Sequence, residues 1–161
     1  MISLRRLLKF LHTTAGAGLT GGAAALALVL LLTPVSIDDA SYTALIVGTS
    51  HIAAWVIGPS MVVTVITGLL AMVAHPPFQD AGWVWVKAAT GILVLLAGLH
   101  IIGPLQEEAA RAARGLADSS DAAEVARLFQ AEINTAWVML GVSIANIALG
   151  VWRPRLPKYP V

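Results

Sequence analysis

The 161-residue chain contains no cysteine. Without thiols there is no disulfide framework, no thiolate nucleophile, no iron–sulfur cluster and no Cys-ligated zinc, in any compartment. Redox chemistry, if any, must come from a bound cofactor. Charge is the second scarcity: 12% of the residues are charged, about half the roughly 25% of a soluble domain. The formal net charge of +1 leaves no basic stripe to neutralise phosphates, which excludes nucleic acid as a partner. Internal repeats and low-complexity segments are missing too.

What is present is apolar, with 58% hydrophobic residues and a mean hydropathy of +0.81. Runs free of formal charge cover residues 10–37, 40–79, 88–106 and 133–152. They supply 28, 40, 19 and 20 positions, and a bilayer core takes about 20 apolar residues per helix. The expectation is one all-α transmembrane domain over 1–161, a four-helix bundle in contact with lipid. Its spans are read at about 8–33, 42–73, 83–103 and 133–152. The long second run is read as one helix kinked near Pro59, whose ring removes a backbone donor, and stopped by His75-Pro76-Pro77. Splitting it at Gly58-Pro59 would make five spans and place Arg153, Arg155 and Lys158 on the outer side. Residues 105–131 are Ala-rich with mixed charges and read as an amphipathic helical outer loop. It is broken over Gly115–Ser120 and restarted by the capping-box pattern of Asp121 and Glu124.

Lys and Arg in short loops resist translocation, which orients the chain. Arg5, Arg6 and Lys9 precede the first span, Lys87 opens the third, and Arg153, Arg155 and Lys158 follow the fourth. That face is expected to be cytoplasmic, with both termini, in a plasma (inner) membrane. Trp83, Trp85 and Trp152 fall at the same boundary, where amphipathic rings collect. Asp38, Asp39 and the acidic loop lie opposite. The basic start and apolar stretch resemble a signal peptide, but the stretch is too long and no small-residue cleavage site precedes Asp38, so it is read as an anchor.

Intramembrane ionisable groups are costly in lipid and are functional candidates by default. They are His12, His51, His75, His100 and Lys87; the runs hold every histidine of the chain. At a rise of 1.5 Å per residue, His51 and His100 lie about 10 and 6 Å below the outer boundary, and His12 and Lys87 about 4 to 6 Å from the cytoplasmic one. Two histidines at matching depth on neighbouring helices suit a six-coordinate haem; a catalytic zinc wants three protein ligands in one cluster. The competing reading is that each histidine bonds a nearby Ser, Thr or carbonyl, and that Lys87 snorkels to the headgroups. His75, beside two prolines, reads as interfacial. Gly18 and Gly22 form a GxxxG pair that admits a close helix backbone, from this chain or from a second copy, or a flat cofactor.

Three motifs follow one another on consecutive spans: Lys9-Phe10-Leu11-His12, then Pro59-Ser60-Met61, then Trp83-Val84-Trp85-Val86-Lys87, with His100 further along the third. This order, over roughly residues 9–100, resembles the HemJ-type membrane family of oxygen-independent protoporphyrinogen IX oxidases, and the related four-helix CopD-like and DUF2269-like proteins. The resemblance implies that His12 and Lys87 are a functional pair and that b-type haem is bound.

The expected function is therefore that of a membrane b-type haem protein in electron transfer. His51 and His100 form the first ligand pair, and His12 with Lys87 forms a second site for a haem, a propionate or a porphyrin. A redox partner or quinone would exchange the electrons. The alternatives are a HemJ-like oxidase with His12 and Lys87 catalytic, and a non-enzymatic CopD-like metal-handling, transport or structural module. Four methionines without an M-x-x-M pattern speak against copper handling.

Overall fold

A computed structural model describes residues 4–32, 39–75, 79–115 and 122–153. The described residues form helices α1 (Leu4–Leu31), α2 (Asp39–His51), a π-helical turn (Ile52–Ile57), α3 (Gly58–Val73), α4 (Gly82–Ala113) and α5 (Ala122–Trp152). They contain no strand. Because α2, the π turn and α3 run on continuously, four helices are long and apolar enough to cross a membrane. Helix α1 packs on α3 and α5, and α4 packs on α2, α3 and α5. The result is an antiparallel bundle with α1 and α4 on one diagonal.

Each helix turns one stripe inward at alternating three- and four-residue spacing, the spacing of coiled-coil-like bundles. On α1 the stripe is Leu8, Ala15, Leu19, Gly22, Leu26 and Leu30, and His12 falls in its register. On α4 the buried Val84, Val94, Leu105, Ala109 and Ala112 share a register with Lys87, Gly91 and Gly98. On α5 Phe129, Ala136, Met139 and Ser143 are buried, in register with Glu132, Asn146 and Gly150. The opposite faces stay apolar and outward, with Trp55 75% and Leu93 64% exposed. Such faces suit hydrocarbon. Since lipid tails are as apolar as leucine, packing of the inner stripes rather than water exclusion holds the helices together.

Pro59 falls in the first turn of α3, and just before it the Gly58 N–H bonds the Ala53 carbonyl, five residues back. The wider π turn takes up the register change that a missing proline donor imposes. This is the local form taken by the kink expected near Pro59. Pro104 does not end α4, which runs on to Ala113. At 32 residues it is about 48 Å long, well beyond a core of about 30 Å. Residues 105–113 and 122–132 are therefore helical extensions of α4 and α5, within the stretch read as an amphipathic helical outer loop, and Gly115 past the end of α4 takes φ +72°. Tyr42 holds these extensions: its hydroxyl donates to Glu108 at 3.1 Å and its ring stacks on Phe129 with centroids 6.2 Å apart. Arg111 pairs with the same carboxylate at 3.0 Å. The Asp121 capping position, Pro76-Pro77, Arg155 and Lys158 lie outside the described residues.

Candidate functional site in the basic half of the bundle

The end of the bundle that carries Arg5 and Arg153 has a polar interior. On α1, His12 Nδ1 lies 3.0 Å from the Thr64 carbonyl and 3.2 Å from Thr67 Oγ1. A carbonyl only accepts, so Nδ1 carries the proton and donates, which leaves the lone pair on Nε2. Gly68 makes this placement possible, because a Cβ there would stand 3.3 Å from His12 Cε1. Thr67 Oγ1 is itself oriented by donating to the Val63 carbonyl at 2.6 Å. Across the bundle, Thr90 of α4 donates to Asn146 Oδ1 of α5 at 3.0 Å, and Asn146 Nδ2 donates to the Val142 carbonyl at 3.0 Å.

Lys87 stands on the inner stripe of α4. Its ammonium occupies space that any side chain at Gly150 would fill: a Cβ there would be 2.8 Å from Nζ. It is half-buried, and no described carboxylate or hydrogen-bond acceptor partners it. Arg153, three residues beyond Gly150, adds a second positive charge at this end of the bundle. An inward ammonium wedged over a glycine does not have the geometry of a lysine reaching outward to headgroups. The arrangement can do two things chemically. It offers one imidazole nitrogen with a free lone pair and, in the same half of the bundle, a cation without a described anion.

His12 and Lys87 thus stand in the same half of the bundle, on the inner stripes of α1 and α4, His12 against Gly68 and Lys87 against Gly150. His51 lies at the end of α2, where its side chain is exposed, off the stripe of Tyr42, Ile46, Thr49 and Ala53. His100 belongs to α4, and its side chain lies outside the described set. His75 accepts from Arg5 at 3.1 Å, which ties the start of α1 to the end of α3 at the basic face. Gly18 faces Ser60, and Gly22 faces Ile57 and Val56. The GxxxG face is therefore occupied by α3 and the π turn of the same chain, and a second copy does not find it open. No group of three His, Asp or Glu side chains suited to a metal ion occurs among the described residues.

Sequence reasoning passed over Thr90, Asn146 and Gly150, and gave Thr64 no role. Their signal was their place in the three–four register, because in each helix the uncharged polar positions of that register meet at this end. It also passed over the opposite end, where Glu108 and Glu132 line a small pocket of about 40 Å³ with Leu30, Pro104 and Phe129.

The family model described as predicted integral membrane protein (DUF2269) matches residues 6–154. No curated protein and no solved structure matches the chain.

Proposed function

The chain belongs to the DUF2269 family of integral membrane proteins, and we propose that it is a b-type haem protein of the plasma membrane that takes part in electron transfer. One observation carries this reading: His12 has its Nδ1 proton anchored on the Thr64 carbonyl, in the half of the bundle where Lys87 stands over Gly150 without a described partner. Imidazoles that ligate a metal characteristically donate their other ring N–H to a carbonyl or carboxylate, which fixes the tautomer and aims the free nitrogen. A cation beside an apolar macrocycle suits an acidic substituent at the aqueous edge of the site. In a chain without thiols, histidine is the axial ligand available for such an iron. His12 takes precedence over the depth-matched pair His51 and His100, because its geometry is already that of a held ligand.

Haem would supply a one-electron couple buried within the membrane. The chain's own part is to hold the ring nitrogen of His12 in place through Thr64 and Thr67, to set positive charge near the site with Lys87, and to exclude water with the surrounding helices. An electron partner, protein or quinone, would approach along the membrane.

The test is an absorption spectrum of the detergent-purified protein, oxidised and reduced with dithionite, after expression with ample haem. A Soret band that shifts on reduction, and that His12→Ala abolishes, is expected. No Soret band at all would overturn the haem reading; loss at His51→Ala and His100→Ala with His12→Ala intact would move the ligands to the other layer. The second reading is a HemJ-like porphyrinogen oxidase, favoured by the placement of His12 and Lys87 in one half of the bundle interior. It predicts growth of porphyrin fluorescence when protoporphyrinogen IX is added without oxygen but with a quinone in excess to accept the six electrons released, and its loss in Lys87→Gln.

A further inference from the structure

Hydroxyls in a spanning helix ordinarily bond a carbonyl one turn earlier, since lipid offers no alternative partner. Thr20, Thr49, Ser50, Thr67, Thr90 and Thr135 all do so, at 2.6–3.0 Å. Thr64 and Ser143 do not: their Oγ atoms are buried with no partner, and Ser143 is only 8% exposed. A buried polar atom without a partner costs about 1–3 kcal/mol; among the described residues the third such atom, Glu132 Oε2, lies at the opposite end, and the two hydroxyls point to something, such as water, that satisfies them from the basic half.

These two hydroxyls lie at one depth. Met61 of α3 and Met139 of α5 both pack on Gly98 of α4. Thr64 comes three residues after Met61 and Ser143 four after Met139, each about one turn, or 5 Å, towards the basic end. From there the inner stripes carry Asn146 with Thr90, then His12, then Lys87 and Arg153. On the far side of the methionines they carry Ile57, Ala136 and Leu26, all buried. The polar half offers hydroxyl donors and cations, and no described carboxylate enters it. Donors and positive charge without a counter-ion are complementary to an oxyanion.

We propose that the basic half of the bundle interior is a polar vestibule, open at Lys87 and Arg153 and closed by Met61 and Met139, that takes one small oxyanion, a carboxylate or phosphate group, on the Lys87 ammonium. Gly150 is the residue that admits the ammonium to the seam between α4 and α5. The vestibule does not depend on the haem reading. A free anion and an acidic group of a bound tetrapyrrole are the same chemistry to Lys87, and the experiment separates them.

Because the chain has no cysteine, Ser143→Cys and Thr64→Cys each create one thiol, nearly isosteric with the hydroxyl it replaces. Each variant, purified in detergent with and without haem, is treated with a sulfonate-bearing and a trimethylammonium-bearing methanethiosulfonate. The sulfonate is expected to react faster by about tenfold or more, the scale on which a local charge steers a small ion. Lys87→Gln should erase that preference. Ala136→Cys, one turn beyond the closure, should stay unreactive. Slowing by inorganic phosphate in haem-free protein identifies a free anion; slowing only after haem loading identifies the tetrapyrrole's acid, and either supports the site. Equal rates for the two reagents, a Ser143→Cys thiol no faster than Ala136→Cys, or insensitivity to both phosphate and haem would overturn the proposal. If Ser143→Cys fails to fold, Thr64→Cys carries the same comparison.

Discussion

A methyl group added at position 22 would meet Ile57 Cγ1 at 2.9 Å and Val56 Cγ1 at 3.2 Å, whereas one added at position 21 would meet nothing within 4 Å. The neighbouring glycines should therefore respond in opposite ways. Gly22→Ala is expected to destabilise the bundle by about 1–3 kcal/mol, the usual cost of overpacking. Gly21→Ala should be neutral or stabilising by up to about 1 kcal/mol, because alanine is the better helix former. Thermal unfolding of both variants in one detergent checks the pair, and equal melting temperatures would refute the packing of α1 on the π turn. Gly150→Ala is a different case, because the atom it would strike is the Lys87 Nζ at the end of a flexible chain. It should leave the melting temperature nearly unchanged and displace the ammonium; if haem is bound nearby, its midpoint potential should fall, as it should in Lys87→Gln, because a nearby cation favours the reduced iron. At this scale the sequence was legible by residue type. His12 and Lys87 stand out as rare ionisable groups, while Thr64 and Gly150 look like ordinary membrane residues until the inner stripe is traced through them.

At the scale of the element, helix existence follows from charge-free length, and helix ends do not. Pro104 reads as an exit because its ring deletes one donor, yet a helix can lose one bond when its neighbours hold it. Here Tyr42 provides that hold by reaching Glu108 with its hydroxyl and Phe129 with its ring. Neither contact is visible in local sequence, since Tyr42 is on another span. Tyr42→Phe keeps the stack and removes a hydrogen bond to a charged group, so it should cost about 1.5–3 kcal/mol while leaving the helix content by circular dichroism unchanged. The π turn makes a sharper prediction. A π turn holds one residue more than an α-helix would, so deleting Ala54 from Ile52–Ile57 should convert it to α geometry and keep the flanking stripes of α2 and α3 in register. Deleting Val63 within α3 has no such slack and should rotate the rest of the helix, carrying Thr64 and Thr67 away from His12. A monodisperse peak on size exclusion for the first deletion and aggregation for the second is the expected outcome; the reverse would place the extra residue elsewhere.

For the molecule as a whole, the bundle separates its charges by end. Arg5, Lys87 and Arg153 gather where the interior is polar, while Glu108 and Glu132 line the pocket at the other end. The fold alone does not say which end faces the cytoplasm; the expectation rests on the distribution of Lys and Arg in the short segments. Five of the ten basic residues, Arg5, Arg6, Lys9, Lys87 and Arg153, belong to the polar end, and Arg155 and Lys158 follow Arg153 in sequence; translocating such a cluster against the positive-inside bias would be unfavourable. Both termini should therefore lie in the cytoplasm. A fluorescent protein that folds only there should glow when fused at residue 161, and alkaline phosphatase at the same point should be inactive. Inserting the phosphatase after Gly115, in the turn between α4 and α5, should give activity instead. Changing Arg5, Arg6 and Lys9 together to Gln should weaken the contrast without abolishing it, because Lys87 and the C-terminal cluster still vote for the same orientation. Phosphatase activity at residue 161 in the unchanged chain would invert the molecule, and would turn the Lys87 and Arg153 mouth towards the outside.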